Sequence, residues 1–238
     1  MLRIEDIDQA RCSPAYEMQI YQDLQWLGLT WPMPVLRQSD RASAYNAALA
    51  HLCNLGLTYA CTCTRSDIRQ ALSAPQEGVV VGPDGLIYPG ICRGRTGAGA
   101  VRLDMAKAME MVEAVEFVET GPNAGINRFD AAHMVEFVGD IVLARRDIGT
   151  SYHLSVVVDD AQQAITEVTR GEDLFDATKI HVVLQRLLGL PTPTYHHHNL
   201  IRNDQGKRLA KRDDARALSK YRSEGASPKD IRELVGLA

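Results

Sequence analysis

Tyr152-His153-Leu154-Ser155-Val156-Val157-Val158-Asp159-Asp160 and, a little further on, Ile165-Thr166-Glu167-Val168-Thr169-Arg170-Gly171-Glu172-Asp173-Leu174 are the stretch on which the fold turns. The second segment reads as a strand over Ile165 to Thr169 that ends at Arg170-Gly171. A helix follows, capped by Asp176. Ile180, Val183, Leu184, Leu187 and Leu188 recur along it at helical spacing, and Gly189 with Pro191 closes it. Leu154 to Val158 is a short apolar run that periodicity assigns to neither helix nor strand. A strand feeding a capped helix is the repeating unit of an α/β protein.

Working outward, the same alternation recurs. Ser13 is an N-cap with Pro14 at the first helical position, and Ile20, Leu24 and Leu27 follow at helical spacing. A second helix starts near Ser39, carries Tyr45, Leu49, Leu52 and Leu55 on one face, and stops at Gly56. Thr58 to Cys61, Val101 to Leu103, Val115 to Val118 and Ile141 to Arg145 read as strands, with a turn at Asp147-Ile148-Gly149. Residues 73–99 are rich in Gly and Pro and have few periodic apolar positions. After the turn at Asn203 to Gly206 come a basic loop and two short helices, the last opened by Ser227-Pro228. There is no internal repeat and no low-complexity tract. The expected class is α/β with a largely parallel sheet.

Composition excludes some classes and leaves others open. The chain has 238 residues, 45% hydrophobic and 24% charged, ordinary values for a globular protein with a sizeable core. No run approaches 18 uncharged apolar residues, so no membrane span is expected. Acid at Glu5 and Asp6 stands where a signal peptide needs apolar residues, which makes a cytoplasmic location the expectation. The net charge of −4 does not attract nucleic acid as a whole. Between Arg202 and Glu233, however, ten Lys/Arg face six Asp/Glu, a basic end on an acidic body. Five cysteines include the pair Cys61-x-Cys63, a spacing that in a cytosolic chain suggests metal or thiol chemistry. His196-His197-His198 reads as the polar start of a strand, with one imidazole near phosphate, rather than as a metal site.

Four segments in order carry a resemblance: Arg3-Ile4-Glu5-Asp6-Ile7-Asp8, Tyr152 to Asp160, Ile165 to Leu174, and Gly206-Lys207-Arg208-Leu209-Ala210-Lys211-Arg212. Together they resemble glutamyl- and glutaminyl-tRNA synthetases over nearly the whole chain, which implies the Rossmann-like catalytic domain of a class I aminoacyl-tRNA synthetase. The resemblance places Glu5 on the ammonium of glutamate, Arg170 on a carboxylate and Tyr152 as a hydroxyl donor. Arg suits a carboxylate because its planar fork holds both oxygens. The basic loop resembles the second class I signature, with Arg208 and Lys211 on its two lysine positions. Those cations would bind ATP, supplied with Mg2+, and stabilise pyrophosphate as it leaves.

Cys61-x-Cys63 with Tyr88-x-x-x-Cys92 resembles the family's zinc-binding insertion, implying one structural zinc held by three thiolates and a phenolate. Only 26 residues follow Arg212, too few for an anticodon-binding domain. That shortness and the insertion resemble the glutamyl-queuosine tRNA(Asp) synthetases. This branch attaches ATP-activated glutamate to the queuosine base at the wobble position of tRNA(Asp). The implied partners are therefore glutamate, ATP and queuosine-bearing tRNA(Asp), with no membrane and a monomeric chain. One departure stands out. Family members place a strand and a His-Ile-Gly-His-type loop and helix before the Arg-Ile-Glu-Asp segment, and here that first strand and helix are expected to be missing. An alternative reading is a shortened paralogue that no longer activates glutamate and binds tRNA or a ligand in a regulatory role. The expected organisation is the first part of the catalytic domain at 1–60, the zinc insertion at 61–100, the rest of the catalytic domain at 101–201, and the signature loop with C-terminal helices at 202–238.

Overall fold

The structure, a computed structural model, describes residues 1–72, 81–202, 206 and 217–237. In chain order the elements begin with β1 (Arg3–Ile4), α1 (Pro14–Trp26), β2 (Leu36–Arg37), α2 (Ala42–Asn54), β3 (Thr58–Cys61) and α3 (Arg65–Leu72). Next come β4 (Val81–Gly82), β5 (Gly85–Leu86), β6 (Ala100–Leu103), α4 (Met105–Val112), β7 (Ala114–Glu119), β8 (Gly125–Asp130) and the short α5 (Ala131–His133). The order ends with β9 (Val142–Ala144), α6 (Tyr152–Gln162), β10 (Glu167–Gly171), α7 (Phe175–Leu187), β11 (Thr194–His198), α8 (Leu218–Ser223) and α9 (Pro228–Leu234).

The chain divides into two compact units, one of Met1–Asp40 with Asn199–Ala238 and one of Arg41–His198. In the first, β1 pairs in parallel with β2. Ser13 caps α1 by accepting from the Tyr16 amide, with Pro14 inside the first turn. The α1 face holds α8 through Arg222 on Asp23 at 3.0 Å and Gln19 on Ser219 at 3.2 Å. α9 opens with a full capping box between Ser227 and Asp230.

The second unit carries the main core. β10, β11, β7 and β8 form one sheet in that order, parallel from β10 to β7 and antiparallel at β8. β3, β6 and β9 form a second sheet, antiparallel throughout. The expected largely parallel sheet is thus realised in the first of these two sheets and not in the second. The apolar residues of α7 lie among Leu103, Met105, Phe117, Leu143 and Leu154 in one continuous core. Inside it α6 is buried almost all round, including His153, Ser155, Asp159 and Asp160. That settles Leu154 to Val158 as helix. Asp176 does not cap α7: the cap position is Leu174, and Asp176 sits in the first turn, where its charge still suits the helix dipole.

Candidate active site

Arg170 is the last residue but one of β10, and the parallel register sets it directly opposite His197 on β11. Its guanidinium is half-buried and held on three sides. Nε donates to His197 Nε2 at 3.1 Å, Nη1 to His181 Nδ1 at 3.1 Å, and Nη2 to Thr178 Oγ1 at 2.6 Å. Thr178 and His181 stand one turn apart on the same face of α7, which is why one helix can supply both. The guanidinium carbon also lies 5.3 Å from the centre of the Tyr195 ring.

Because arginine can only donate, these contacts fix the protons on the imidazoles. His197 must offer Arg170 the lone pair of Nε2, so its proton is on Nδ1, pointing at Glu119 Oε2 at 2.6 Å. Glu119 Oε1 accepts in turn from the His197 amide at 2.9 Å and the Gly121 amide at 2.7 Å. His181 offers Nδ1, so its proton is on Nε2 and is donated to His153 Nδ1 at 3.1 Å. His153 then carries its proton on Nε2, 3.4 Å from Asp84 Oδ1 in the turn between β4 and β5. Two chains of hydrogen bonds therefore leave Arg170, and each ends on a carboxylate. Burial, helped by the Arg170 charge, holds the imidazoles of His181 and His197 below the ordinary histidine value. Burial pushes Glu119 up, yet the hydrogen bonds from His197 and Gly121 outweigh it and leave the carboxyl below its ordinary value.

Tyr152 is the first residue of α6, behind the N-cap Ser151. Its ring stands edge-on to His153 and His181, with centroids 5.5 and 5.6 Å away. Tyr152 and Arg170 thus meet on the two sides of His181. Glu5 lies in the other unit, where it pairs with Arg3 at 3.0 Å. Arg208 and Lys211 lie outside the described residues.

A second cluster is built on β3. Cys61 ends that strand, Cys63 follows in the next loop, and Cys92 comes back from the turn after Pro89; their sulfurs all lie within 4.8 Å of one another. Cys63 and Cys92 are 3.5 Å apart, and the Tyr88 hydroxyl is 3.3 Å from Cys63 Sγ. A tetrahedral ion with sulfur bonds of 2.3 Å has sulfur–sulfur edges of about 3.8 Å. The three thiols, with the Tyr88 hydroxyl beside Cys63, stand close enough to serve as donors to one small tetrahedral metal. Burial pushes the Tyr88 hydroxyl up and the Cys63 thiol up, while the Tyr88 hydroxyl bond pulls Cys92 down to about 6. The cluster is tied to the body of its unit. Arg102 stacks 3.9 Å over the Tyr88 ring, and Arg93 holds Asp140 through bonds of 2.7 and 2.8 Å.

With this geometry in place, known proteins can be compared. The family model described as tRNA synthetases class I (E and Q), catalytic domain, matches residues 1–79 and 101–238. The chain belongs to this family of class I synthetases. The glutamyl-Q tRNA(Asp) synthetase of Rhodobacter capsulatus is 62% identical over 243 residues, covering 100% of this chain and 87% of that protein. The protein of the same name from Nocardia farcinica is 38% identical, covering 99% and 72%. A solved glutamate tRNA ligase from Elizabethkingia meningosepticum, in complex with its amino acid, superposes with a TM-score of 0.75 at 22% identity. It covers 98% of this chain and 53% of that one, and shows the fold.

The sequence motifs named Arg170 and Tyr152 as candidates but not the residues that surround them. His153, His181, Thr178 and Glu119 were absent from the expected site, and His197 was read as part of a polar strand start. One signal was available in the chain. Thr178, His181 and Gln185 form a polar stripe along a helix otherwise occupied by Ile180, Val183, Leu184 and Leu187, and all of these residues are buried. Polar groups that deep need partners, so such a stripe points at a polar site.

Proposed function

We propose that this synthetase activates glutamate with ATP and transfers it to the queuosine base at the wobble position of tRNA(Asp). The observation that carries this reading is the 62% identity, over the whole of this chain, to a protein named for that activity. The geometry of Arg170 supports the amino-acid half of it. A half-buried cation beside a tyrosine suits a substrate carboxylate. In the reaction, a glutamate carboxylate oxygen attacks the α-phosphorus of ATP, the bond to pyrophosphate breaks, and glutamyl-adenylate forms. The modified base then takes the glutamyl group and AMP leaves. Glu5 would hold the ammonium, Arg170 a carboxylate and Tyr152 would donate its hydroxyl. Arg208 and Lys211 would stabilise the departing pyrophosphate of the magnesium complex of ATP. Zinc, held by Cys61, Cys63, Cys92 and Tyr88, would be structural, because four protein donors leave no open position.

The test is a transfer assay with the purified chain, ATP and labelled glutamate, run on tRNA(Asp) with and without queuosine. Label is expected on the queuosine-bearing tRNA alone. Label on both would mean that the queuosine base is not the acceptor. Label on neither, with no glutamate-dependent pyrophosphate exchange, would favour a binding or regulatory protein.

A further inference from the structure

Arginines in this protein are held in two different ways. Arg93 is clamped by both oxygens of Asp140, and Arg41 lies 2.6 Å from Asp159, each a direct pair with a buried carboxylate. Arg170 is held by His197, His181 and Thr178, and among the described residues no carboxylate touches it. The acids belonging to its network, Glu119 and Asp84, are set back behind one imidazole and two imidazoles respectively. We propose that His197 and His181 are positioning residues that fix Arg170 through lone pairs alone, so that its charge stays free for a substrate carboxylate. This deepens the reading of the chain as a glutamate-activating enzyme and rests on it.

An arginine that serves the fold gains most from a direct carboxylate partner, because charge-assisted bonds are roughly twice as strong as neutral ones. An arginine that must bind a ligand anion loses by it, since the ligand then competes with a built-in anion. A neutral imidazole is the intermediate solution: it accepts a hydrogen bond and fixes direction without cancelling the charge. The remote carboxylates have their own task. Glu119 accepts from the far nitrogen of His197, while Asp84 accepts from His153, whose Nδ1 accepts from the far nitrogen of His181; each acid thereby selects the tautomer whose near nitrogen carries the lone pair. The reverse tautomer of either histidine would aim an N–H at the guanidinium.

The donor count agrees. A guanidinium has five N–H groups, and three are engaged by the three partners. One remains on each terminal nitrogen, the number a carboxylate takes when it binds with both oxygens. His181 has a further contact that fits this role, since the Tyr152 ring stands edge-on to it. The same imidazole that orients Arg170 therefore also limits where Tyr152 can sit.

Two measurements test the proposal. In the full chain labelled with 15N at histidine, nitrogen chemical shifts at about pH 7.5, above the ordinary histidine value, are expected to show neutral rings. His197 should be protonated on Nδ1 and His181 on Nε2. In glutamate-dependent pyrophosphate exchange, His197→Leu and His181→Leu are expected to raise the KM for glutamate about tenfold or more, as loss of a bond to a charged group would. The KM for ATP should stay within about twofold, inside the range of ordinary surface effects. His197→Gln and His181→Asn, which return an amide oxygen to the nitrogen facing Arg170, should recover most of the loss. An imidazolium, or a proton on the nitrogen facing Arg170, in a chain that activates glutamate overturns this proposal and leaves the functional reading intact. Equal damage from the Leu and amide variants, or a matching rise in the KM for ATP, also overturns it, because it assigns the histidines a structural role. The expected tautomers in a chain that glutamate does not saturate overturn the functional reading instead.

Discussion

At the scale of single residues, the site depends on a close approach at Gly121. A Cβ there would fall on the His197 carbonyl oxygen and come within 2.7 Å of Glu119 Oε1. Both atoms belong to buried residues, one of them backbone and the other a carboxylate oxygen already held by two amides, so neither can move aside cheaply. Gly121→Ala is therefore expected to cost about 1–3 kcal/mol, as overpacking does. For a chain of this length that lowers Tm by about 2–4 °C per kcal/mol. The glutamate KM should rise with it, because Glu119 sets the tautomer of His197. A thermal melt and an exchange assay check the two halves, and an unchanged melting point would show that the strand end shifts freely. Lys211 can be argued from sequence alone. Its charge would meet phosphate chiefly as pyrophosphate leaves, so Lys211→Ala should slow pyrophosphate exchange by about 10²–10³-fold while glutamate binding hardly changes. Equal losses in rate and in glutamate affinity would give Lys211 a ground-state role.

At the scale of elements, the cysteine cluster does for its segment what an apolar core does elsewhere. Its own buried set is small, namely Tyr59, Cys61, Ile68, Tyr88 and Cys92. Protein purified without added metal should hold about one zinc, as expected for a four-donor site, and Cys92→Ser should lose it and loosen the segment. Elemental analysis and hydrogen exchange over residues 81–103 check this; zinc retained by the Ser variant would remove Cys92 from the site. Which elements could be read from sequence follows from how they are buried. α1 and α9 were legible because their caps are local, Ser13 before Pro14 and Ser227 before Pro228. β7 was legible because Val115, Phe117 and Glu119 turn inward in strict alternation. Its partner β8 was not, since Gly125 to Asp130 is largely exposed and has no apolar face to reveal it. α6 gave no period because it is covered on nearly all sides. The motif residues Tyr152 and Arg170 came from resemblance. Their supports could not, because His153 meets His181 across 28 positions of sequence. Only the register of β10 on β11 sets Arg170 beside His197.

At the scale of the whole molecule, buried and half-buried imidazoles couple folding to pH. His181, His197 and His133 are all held below the ordinary histidine value, first by burial and then by neighbouring cations or imidazoles. The sign follows from which state takes up the proton. In the unfolded chain each ring protonates as pH falls through about 6.5, while in the fold it stays neutral to lower pH. Their contribution to stability is therefore complete above that value and is lost progressively below it. The slope is at most about 1.4 kcal/mol per pH unit for each ring. Glu119, whose carboxyl is also lowered, adds a similar loss at a lower pH, below the ordinary carboxylate value. Tm should thus fall steadily between about pH 7.5 and 5.5, a range that brackets the unfolded histidine value, before carboxylates contribute. His197→Gln keeps the bond to Arg170 but cannot titrate, so its Tm should be lower at neutral pH and change less steeply with acid. The two curves should converge on acidification, because the wild-type chain gives up what the variant never had. A wild-type Tm that stays flat across that range would mean that the rings take up protons in the fold as readily as in the unfolded chain. Arg170 would then face cations rather than lone pairs at the acid end of the range, and the contacts that hold it would not protect the neutral rings.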